Sequence, residues 1–147
     1  MKKIIAYGSL LDSKSRQKTI PTTKKLTPLN LKGYERIFNA PFKDRAYLNM
    51  RKNPDSEVQV AYFKVNDSEL DDLISRESGS DLVEVANDCF AFIWPEKKSA
   101  QLPVYASYIK VCERGAAELG INFWQGTIEP VEIIDDLTDP KYPNYAE

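Results

Sequence analysis

A glycine-bearing turn, Tyr7-Gly8-Ser9-Leu10, directly follows the first apolar run of the chain. A glycine at a strand end lets the backbone turn sharply and approach a ligand. Successive N–H groups in such a turn can form a site for an anion. Ser9 has no histidine to activate it and lacks the G-x-S-x-G pattern of hydrolase nucleophiles, so we do not interpret it as a nucleophile. The segment predicts an anion-binding loop, with an ordinary turn as the alternative.

Glu77, in the segment 75–79 (Ser-Arg-Glu-Ser-Gly), is the second candidate for chemistry. It falls at the C-terminal end of a predicted short helix, where a carboxylate faces the negative end of the helix dipole and its pKa rises. A carboxyl with a raised pKa can exchange protons near neutral pH. The alternative is an exposed glutamate paired with Arg76, which contributes little to stability.

Four aromatic residues in the last third of the chain either pack on a sheet or line a pocket. They are Tyr105, Tyr108, Phe123 and Trp124.

The composition excludes several kinds of catalysis. None of the 147 residues is histidine, so neither Ser-His-Asp nor Cys-His catalysis is available within the chain. With only two cysteines and no histidine, an ordinary zinc site is not expected. The net charge of −2 gives no basic surface for a nucleic acid. We therefore expect no metal, no cofactor and no nucleic-acid partner.

Cys89 and Cys112 lie in apolar surroundings, which predicts two buried, reduced thiols. Residues 1–3 precede only three apolar residues, too short a run for a signal peptide, and no stretch is long enough to span a membrane. These features favour a cytoplasmic protein. The sequence does not predict the oligomeric state.

Hydrophobic patterning and turn residues predict the elements that must position these residues. The predicted strands are Lys2–Tyr7, Leu26–Phe38 with a bend at Gly33, Ala46–Arg51 and Val58–Val65 around a turn at 53–55, and a hairpin of Leu82–Ala86 with Cys89–Trp94. Residues 10–20 are irregular or briefly helical, and 39–44 form a loop. A short helix capped by Asp67 or Ser68 stops at Gly79, and a long helix covers Val104–Leu119. This order predicts a single α+β domain, 1–147, with a closed or nearly closed, mixed and mostly antiparallel sheet.

Four segments, in this order, resemble the gamma-glutamylcyclotransferase-like family. Residues 4–10 resemble its opening strand and Y-G-S/T-x loop, and residues 58–65 resemble its second strand motif. Residues 70–77 resemble the helix that leads into its catalytic glutamate, and residues 108–120 resemble its late helix with the Y-x₆-G-A pattern. The resemblance covers about residues 4 to 125.

The resemblance implies a small β-barrel flanked by helices and an enzyme that releases 5-oxoproline from a small γ-glutamyl substrate. Tyr7, Gly8, Ser9 and Leu10 would hold the γ-glutamyl group, Glu77 would be the catalytic acid/base, and Tyr108 would line the pocket. Many members place a tyrosine shortly after the glutamate, where this chain has Ser80. The alternatives are a non-catalytic domain that binds a small metabolite and a structural or partner-binding domain.

Overall fold

The computed structural model describes residues 1–141, so the last six positions of the predicted domain lie outside the described residues. Five strands form the main sheet, in the spatial order β2-β3-β1-β5-β4. They are β1 (Lys2–Ala6), β2 (Thr27–Phe42), β3 (Arg45–Val65), β4 (Asp81–Ala86) and β5 (Cys89–Ile93). A second, two-stranded sheet pairs β6 (Val104–Tyr105) with β7 (Ile133–Ile134).

The main sheet is mixed and curls into a half-barrel flanked by helices, which confirms the predicted α+β fold. Strand β1 runs antiparallel to β3 and parallel to β5, and the other two pairings are antiparallel. Buried apolar clusters lie on both faces of β1, because Ile4 and Ile5 point to opposite sides of the strand. The half-barrel therefore has a core inside and another beneath its helices.

The prediction of two separate strands at Ala46–Arg51 and Val58–Val65 is wrong. A single 21-residue strand, β3, runs through both, and it pairs with β2 over residues 45–52 and 57–62. The register shifts between Lys32 and Tyr34, where Gly33 has a φ of +85°, so the predicted bend at Gly33 is a β-bulge. The residues predicted as a turn at 53–55 lie opposite this bulge and remain extended. The predicted loop 39–44 shortens to a turn at Lys43 and Asp44.

Three helices flank the sheet: α1 (Ser13–Gln17), α2 (Asp67–Arg76) and α3 (Ala106–Glu118). The N-cap of α2 is Asn66, one residue before the predicted caps, because its side chain accepts from the Glu69 N–H while Glu69 accepts from the Asn66 N–H. The long helix was predicted at Val104–Leu119, but α3 begins two residues later, at Ala106, because Val104 and Tyr105 form β6.

Both cysteines are free and buried, as the sequence predicted. Cys89 lies on β5 and Cys112 lies on the buried face of α3. No helix within residues 1–141 combines the length and the apolar character that a membrane crossing requires.

Candidate active site

One cavity of about 460 Å³ brings the predicted site residues together. It opens between the loop after β1, the C-terminal end of α2, the β2–β3 hairpin and the end of β5. All six residues singled out from the sequence line it, namely Tyr7, Gly8, Ser9, Leu10, Glu77 and Tyr108. Of the four aromatic candidates only Tyr108 lines this cavity, because Phe123 and Trp124 instead pack against Phe38.

The loop begins where β1 ends at Ala6 and continues into a short 3₁₀ turn at Ser9–Leu11. Gly8 is buried, and a Cβ at this position would lie 3.0 Å from Cδ2 of Leu48 and 3.5 Å from the hydroxyl of Tyr108. A side chain here would force the end of the Leu48 side chain to shift by a few tenths of an ångström, whereas the distance to the Tyr108 hydroxyl is an ordinary contact. Glycine thus allows the backbone itself to form part of the cavity wall.

Three buried or partly buried arginines, on β2, α1 and α2, hold the loop. The Nε of Arg36 donates to the Tyr7 carbonyl at 2.7 Å, and an Nη1 of Arg16 donates to the Leu10 carbonyl at 2.9 Å. The Nη2 of Arg76 donates to the Ser9 hydroxyl at 3.1 Å. Because each bond comes from a different element, the loop is fixed along its whole length.

Arg36 is fully buried, and its guanidinium donates only to carbonyls in its hydrogen bonds, those of Tyr7, Gln59 and Phe123. Burial lowers the pKa of Arg36 to about 10, which leaves it charged at neutral pH. The peptide that carries the Tyr7 carbonyl also carries the Gly8 N–H, and the two groups of a trans peptide point in opposite directions. The Gly8 N–H therefore points away from the Arg36 guanidinium, and Gly8 lines the cavity whereas Arg36 does not.

Glu77 follows the last residue of α2, and its backbone N–H completes the helix by donating to the Leu73 carbonyl at 2.9 Å. Its side chain is 30% exposed and lines the cavity. Burial raises the pKa of Glu77, and the Arg76 guanidinium only partly opposes this effect. The pKa of Glu77 thus shifts in the direction that the sequence predicted, and burial, which the argument from the helix end did not include, raises it.

Arg76 is only a weak partner for this carboxylate. Its Nε lies 3.9 Å from Oε1 of Glu77, while its two Nη atoms donate to Ser9, Ser15 and Thr19. The guanidinium thus fastens the end of α2 to the loop and to α1. The pair between Arg76 and Glu77 that the sequence offered as an alternative is present as a long ion pair, and the carboxyl is partly buried in the cavity wall instead of fully exposed.

Two tyrosines complete the polar lining near the loop. The Tyr7 hydroxyl donates to the Phe92 carbonyl at 2.5 Å, and burial together with the Glu77 carboxylate raises the pKa of Tyr7 far above its usual value. Tyr7 therefore stays a neutral phenol. The Tyr108 hydroxyl accepts the Leu48 N–H at 3.1 Å, which ties α3 to β3 beside the loop.

Sequence reasoning missed Asn49 and Trp94, which join the two sides of the half-barrel. The Asn49 side chain accepts the Trp94 N–H at 2.8 Å and donates to the Trp94 carbonyl at 3.0 Å. Strand β1 lies between β3 and β5 but ends at Ala6. Beyond that point the Asn49 side chain makes the hydrogen bonds that join β3 to the end of β5. The sequence feature that could have identified Asn49 is its position as a polar residue between the apolar Leu48 and Met50.

Within residues 1–141 no group of three or more cysteine, aspartate or glutamate side chains is placed to hold a metal ion. The cavity is lined by one carboxylate, one guanidinium, several hydroxyls and the loop backbone. This arrangement suits a small molecule with an anionic end that faces the loop and a group that exchanges a proton with Glu77.

Comparison with known proteins shows similarity at the level of structure. No family model matches the sequence, and no curated protein sequence matches it. An uncharacterized human protein matches with a TM-score of 0.71 and 19% identity, over 95% of this chain and 94% of its own. A gamma-glutamyl cyclotransferase matches with a TM-score of 0.70 and 20% identity, over 94% of this chain and 91% of its own.

The Bacillus subtilis protein YkqA matches with a TM-score of 0.63 and 23% identity over 80% of this chain, which spans 48% of YkqA. The mixed half-barrel flanked by helices is thus shared with proteins of different length. The chain has the gamma-glutamyl cyclotransferase-like fold. This fold is the one that the sequence resemblance implied.

Proposed function

We propose that this chain belongs to the gamma-glutamylcyclotransferase-like family and releases 5-oxoproline from a small γ-glutamyl substrate. One observation carries the proposal: the loop Tyr7–Leu10 and the partly buried carboxyl of Glu77 line the same cavity, although they are far apart in the sequence. The shared fold with a gamma-glutamyl cyclotransferase supports it.

In the proposed complex the α-carboxylate of the γ-glutamyl group lies against the loop. The first N–H groups of a helical turn have no partner within that turn, and the turn here begins at Ser9. Together with the Gly8 N–H they offer an anion neutral donors held in place by arginines. This binding folds the substrate so that its α-amine approaches its own γ-carbonyl.

The proposed reaction forms one C–N bond and breaks another. The α-ammonium gives a proton to the Glu77 carboxylate, and the free amine attacks the γ-carbonyl carbon to close a five-membered ring. The protonated Glu77 then gives that proton to the departing nitrogen as the original amide bond breaks. The ring nitrogen still carries two protons after the attack, and it gives one of them to the Glu77 carboxylate as the lactam forms. Glu77 passes this second proton to the released amine, which departs as an ammonium ion. Glu77 is thus ionised again, and the products are 5-oxoproline and the released amine.

Ser80 bears on this proposal because it takes the place where many family members have tyrosine. Its hydroxyl donates to the Glu77 carbonyl at 2.6 Å, and its N–H donates to the same oxygen at 3.0 Å. Ser80 thus fixes the backbone of Glu77 and leaves a larger space beside the carboxyl than a tyrosine would. We attribute a positioning role to it.

The test is Glu77→Gln, assayed for 5-oxoproline release on a panel of γ-glutamyl amides, amino acids and peptides. Glutamine keeps the size of glutamate but cannot carry the proton, so turnover should fall by about 10²–10⁴-fold. The matched control is Glu118→Gln, at the exposed C-terminal end of α3 and outside the cavity, which should keep parental turnover.

Thermal melting of the same proteins separates the outcomes. Retained turnover in Glu77→Gln would remove this residue from the reaction, and loss of the folded state would make it structural. A parent that binds γ-glutamyl compounds without converting them would instead be the non-catalytic binding domain.

A further inference from the structure

Arg36, on β2, is a buried cation with no anionic partner in the part of the chain that the structure describes. Its side chain is fully buried, and its guanidinium donates to the carbonyls of Tyr7, Gln59 and Phe123. None of the ion pairs within residues 1–141 includes Arg36. Carbonyl dipoles solvate this charge but do not neutralise it, and an unneutralised buried charge costs stability.

The other ionisable groups that interact with Arg36 do not neutralise it either. They are the Tyr7 phenol and the Cys112 thiol. Burial raises the pKa of Cys112 to about 12 and that of Tyr7 well above its usual value, so both groups are uncharged at neutral pH. Burial lowers the pKa of Arg36 only to about 10, so the guanidinium keeps its proton. The described residues therefore leave a net positive charge directly behind the Tyr7–Gly8 peptide.

The Tyr7–Gly8 peptide lies between this charge and the cavity. The Nε of Arg36 donates to the Tyr7 carbonyl at 2.7 Å, so the Gly8 N–H at the other end of the peptide points away from Arg36. No backbone carbonyl of residues 1–141 accepts this N–H, and Gly8 lines the cavity. A hydrogen bond to the carbonyl end of a peptide polarises it and makes its N–H a stronger donor. An anion bound to the Gly8 N–H is thus attracted both by the peptide and by the guanidinium behind it.

Arg36 also has a structural role, because its three hydrogen bonds tie the loop to β3 and to the segment that follows α3. A structural role requires hydrogen-bond donors in these places, but it does not require a positive charge. Attraction of an anion requires the charge. The two roles can therefore be separated by ligands and variants that differ in charge.

We propose that Arg36 is the counter-charge for the α-carboxylate of the ligand, and that it acts through the Tyr7–Gly8 peptide without touching the ligand. Arg36 is thus a positioning residue that makes this end of the cavity select a carboxylate over a neutral group. The inference rests on the proposed function, because it concerns the group that the loop binds in the proposed complex.

Two ligands that differ in charge test the proposal independently of the leaving group. 5-Oxoproline carries the carboxylate of the proposed product, and 5-oxoprolinamide has a neutral carboxamide in its place. One peptide group with a hydrogen bond at each end spans about 8 Å. A unit charge at about this distance contributes roughly tenfold or more to affinity at an effective dielectric constant of about 20. In NMR titrations of the parent, the acid should therefore bind about tenfold or more tightly than the amide.

Arg36→Gln keeps hydrogen-bond donors and removes the charge, so it should reduce the preference for the acid over the amide by about tenfold. Arg36→Lys keeps a positive charge and should retain more of this preference. The control is Lys32→Gln, which removes an exposed cation from the same strand outside the cavity and should keep the parental preference. Thermal melting shows whether each variant is folded.

A purely structural role for Arg36 would weaken both ligands equally in Arg36→Gln, and this result would overturn the inference. A parent that binds the amide as tightly as the acid would overturn it without any variant. If Arg36→Gln does not fold, the salt dependence of the parent decides. Attraction by a buried charge should persist at about 1 M NaCl, whereas attraction by exposed cations is screened. Loss of the preference for the acid at high salt would therefore contradict the proposal.

Release of 5-oxoproline from γ-glutamyl compounds by the parent, measured separately, tests the proposed function. A preference for the acid that depends on Arg36, without turnover, would refute the cyclisation and support the inference. Turnover together with a preference that does not depend on Arg36 would overturn the inference and leave cyclisation standing. Neither binding of 5-oxoproline nor turnover would overturn both.

Discussion

Replacing Asn49 should open the half-barrel where its side chain joins β3 to the end of β5. Asn49 is 3% exposed and makes three hydrogen bonds, two with the Trp94 backbone and one to the Asn39 side chain at 3.0 Å. Asn49→Ala removes all three and leaves buried groups without partners, each of which costs about 1–3 kcal/mol. Water that enters the space recovers part of this loss. We therefore expect the free energy of unfolding to fall by about 2–4 kcal/mol.

Asn49→Asp should lower the stability by an amount that depends on pH. A carboxylate still accepts the Trp94 N–H, but its second oxygen faces the Trp94 carbonyl, where the amide now donates at 3.0 Å. The protonated acid can donate there, so its pKa in the folded state should lie above the unfolded value of about 3.9. The folded state then binds more protons than the unfolded state between these two pKa values. The stability deficit of the variant should consequently shrink as the pH falls from neutral.

Urea denaturation followed by tryptophan fluorescence, at neutral and acidic pH, measures both effects. The control is Asn30→Ala, an exposed asparagine on β2, for which we expect a change within about 0.5 kcal/mol. Equal m-values would show that midpoint shifts report stability. A loss below about 0.5 kcal/mol for Asn49→Ala, or a deficit of Asn49→Asp that does not narrow on acidification, would refute the reasoning.

Three further changes test the surroundings of the cavity. Because burial raises the pKa of Glu77, its ionised form destabilises the folded state above that pKa. Glu77→Gln should therefore be more stable than the parent at neutral pH. The difference in unfolding free energy should close as the pH falls toward the unfolded pKa of 4.5. Gly115→Ala should lower stability by about 1–3 kcal/mol in urea denaturation despite better helix propensity, because its Cβ would lie 2.3 Å from the backbone nitrogen of Asp12. Arg76→Lys should lower both the melting temperature and the turnover, because an ammonium cannot reproduce the guanidinium bonds to Ser9, Ser15 and Thr19 together.

The sequence predicted correctly those elements that depend on the types of neighbouring residues. The turn at 87–88 joins β4 to β5 as expected, with Asp88 at a φ of +59°. A short apolar run predicted the buried strand β1, and apolar residues on both faces predicted the buried stretch 58–65; the buried stripe on α3 includes Cys112 as expected. These features depend on residues within a few positions of one another, which is the range that a single sequence reports.

The sequence patterns failed where distant residues decide the structure. The polar segment 53–55 is typical of a turn, yet it remains extended opposite the bulge at Gly33, because β3 pairs with β2 on either side of it. The importance of Asn49 depends on Trp94, 45 positions away, and nothing near Asn49 signals that partner. Likewise the pKa of Glu77 was predicted to rise because of the helix end, whereas the burial that mainly raises it comes from tertiary packing.

In the proposed complex the loop binds an anion although the one guanidinium that lines the cavity, that of Arg76, already donates to Ser9, Ser15 and Thr19. The positions of the other two arginines account for this. Arg36 binds the Tyr7 carbonyl from the protein side, so the Gly8 N–H at the other end of that peptide points away from Arg36. In the proposed complex this N–H faces the substrate. Arg16 binds the Leu10 carbonyl, and the N–H of the same peptide donates from Leu11 to the Gly8 carbonyl at 3.0 Å. A substrate carboxylate would then meet neutral N–H donors whose positions are fixed by buried charges, and it need not displace an existing ion pair. Since the pKa of Arg36 remains about 10, this arrangement stays charged throughout the pH range in which Glu77 would exchange its proton.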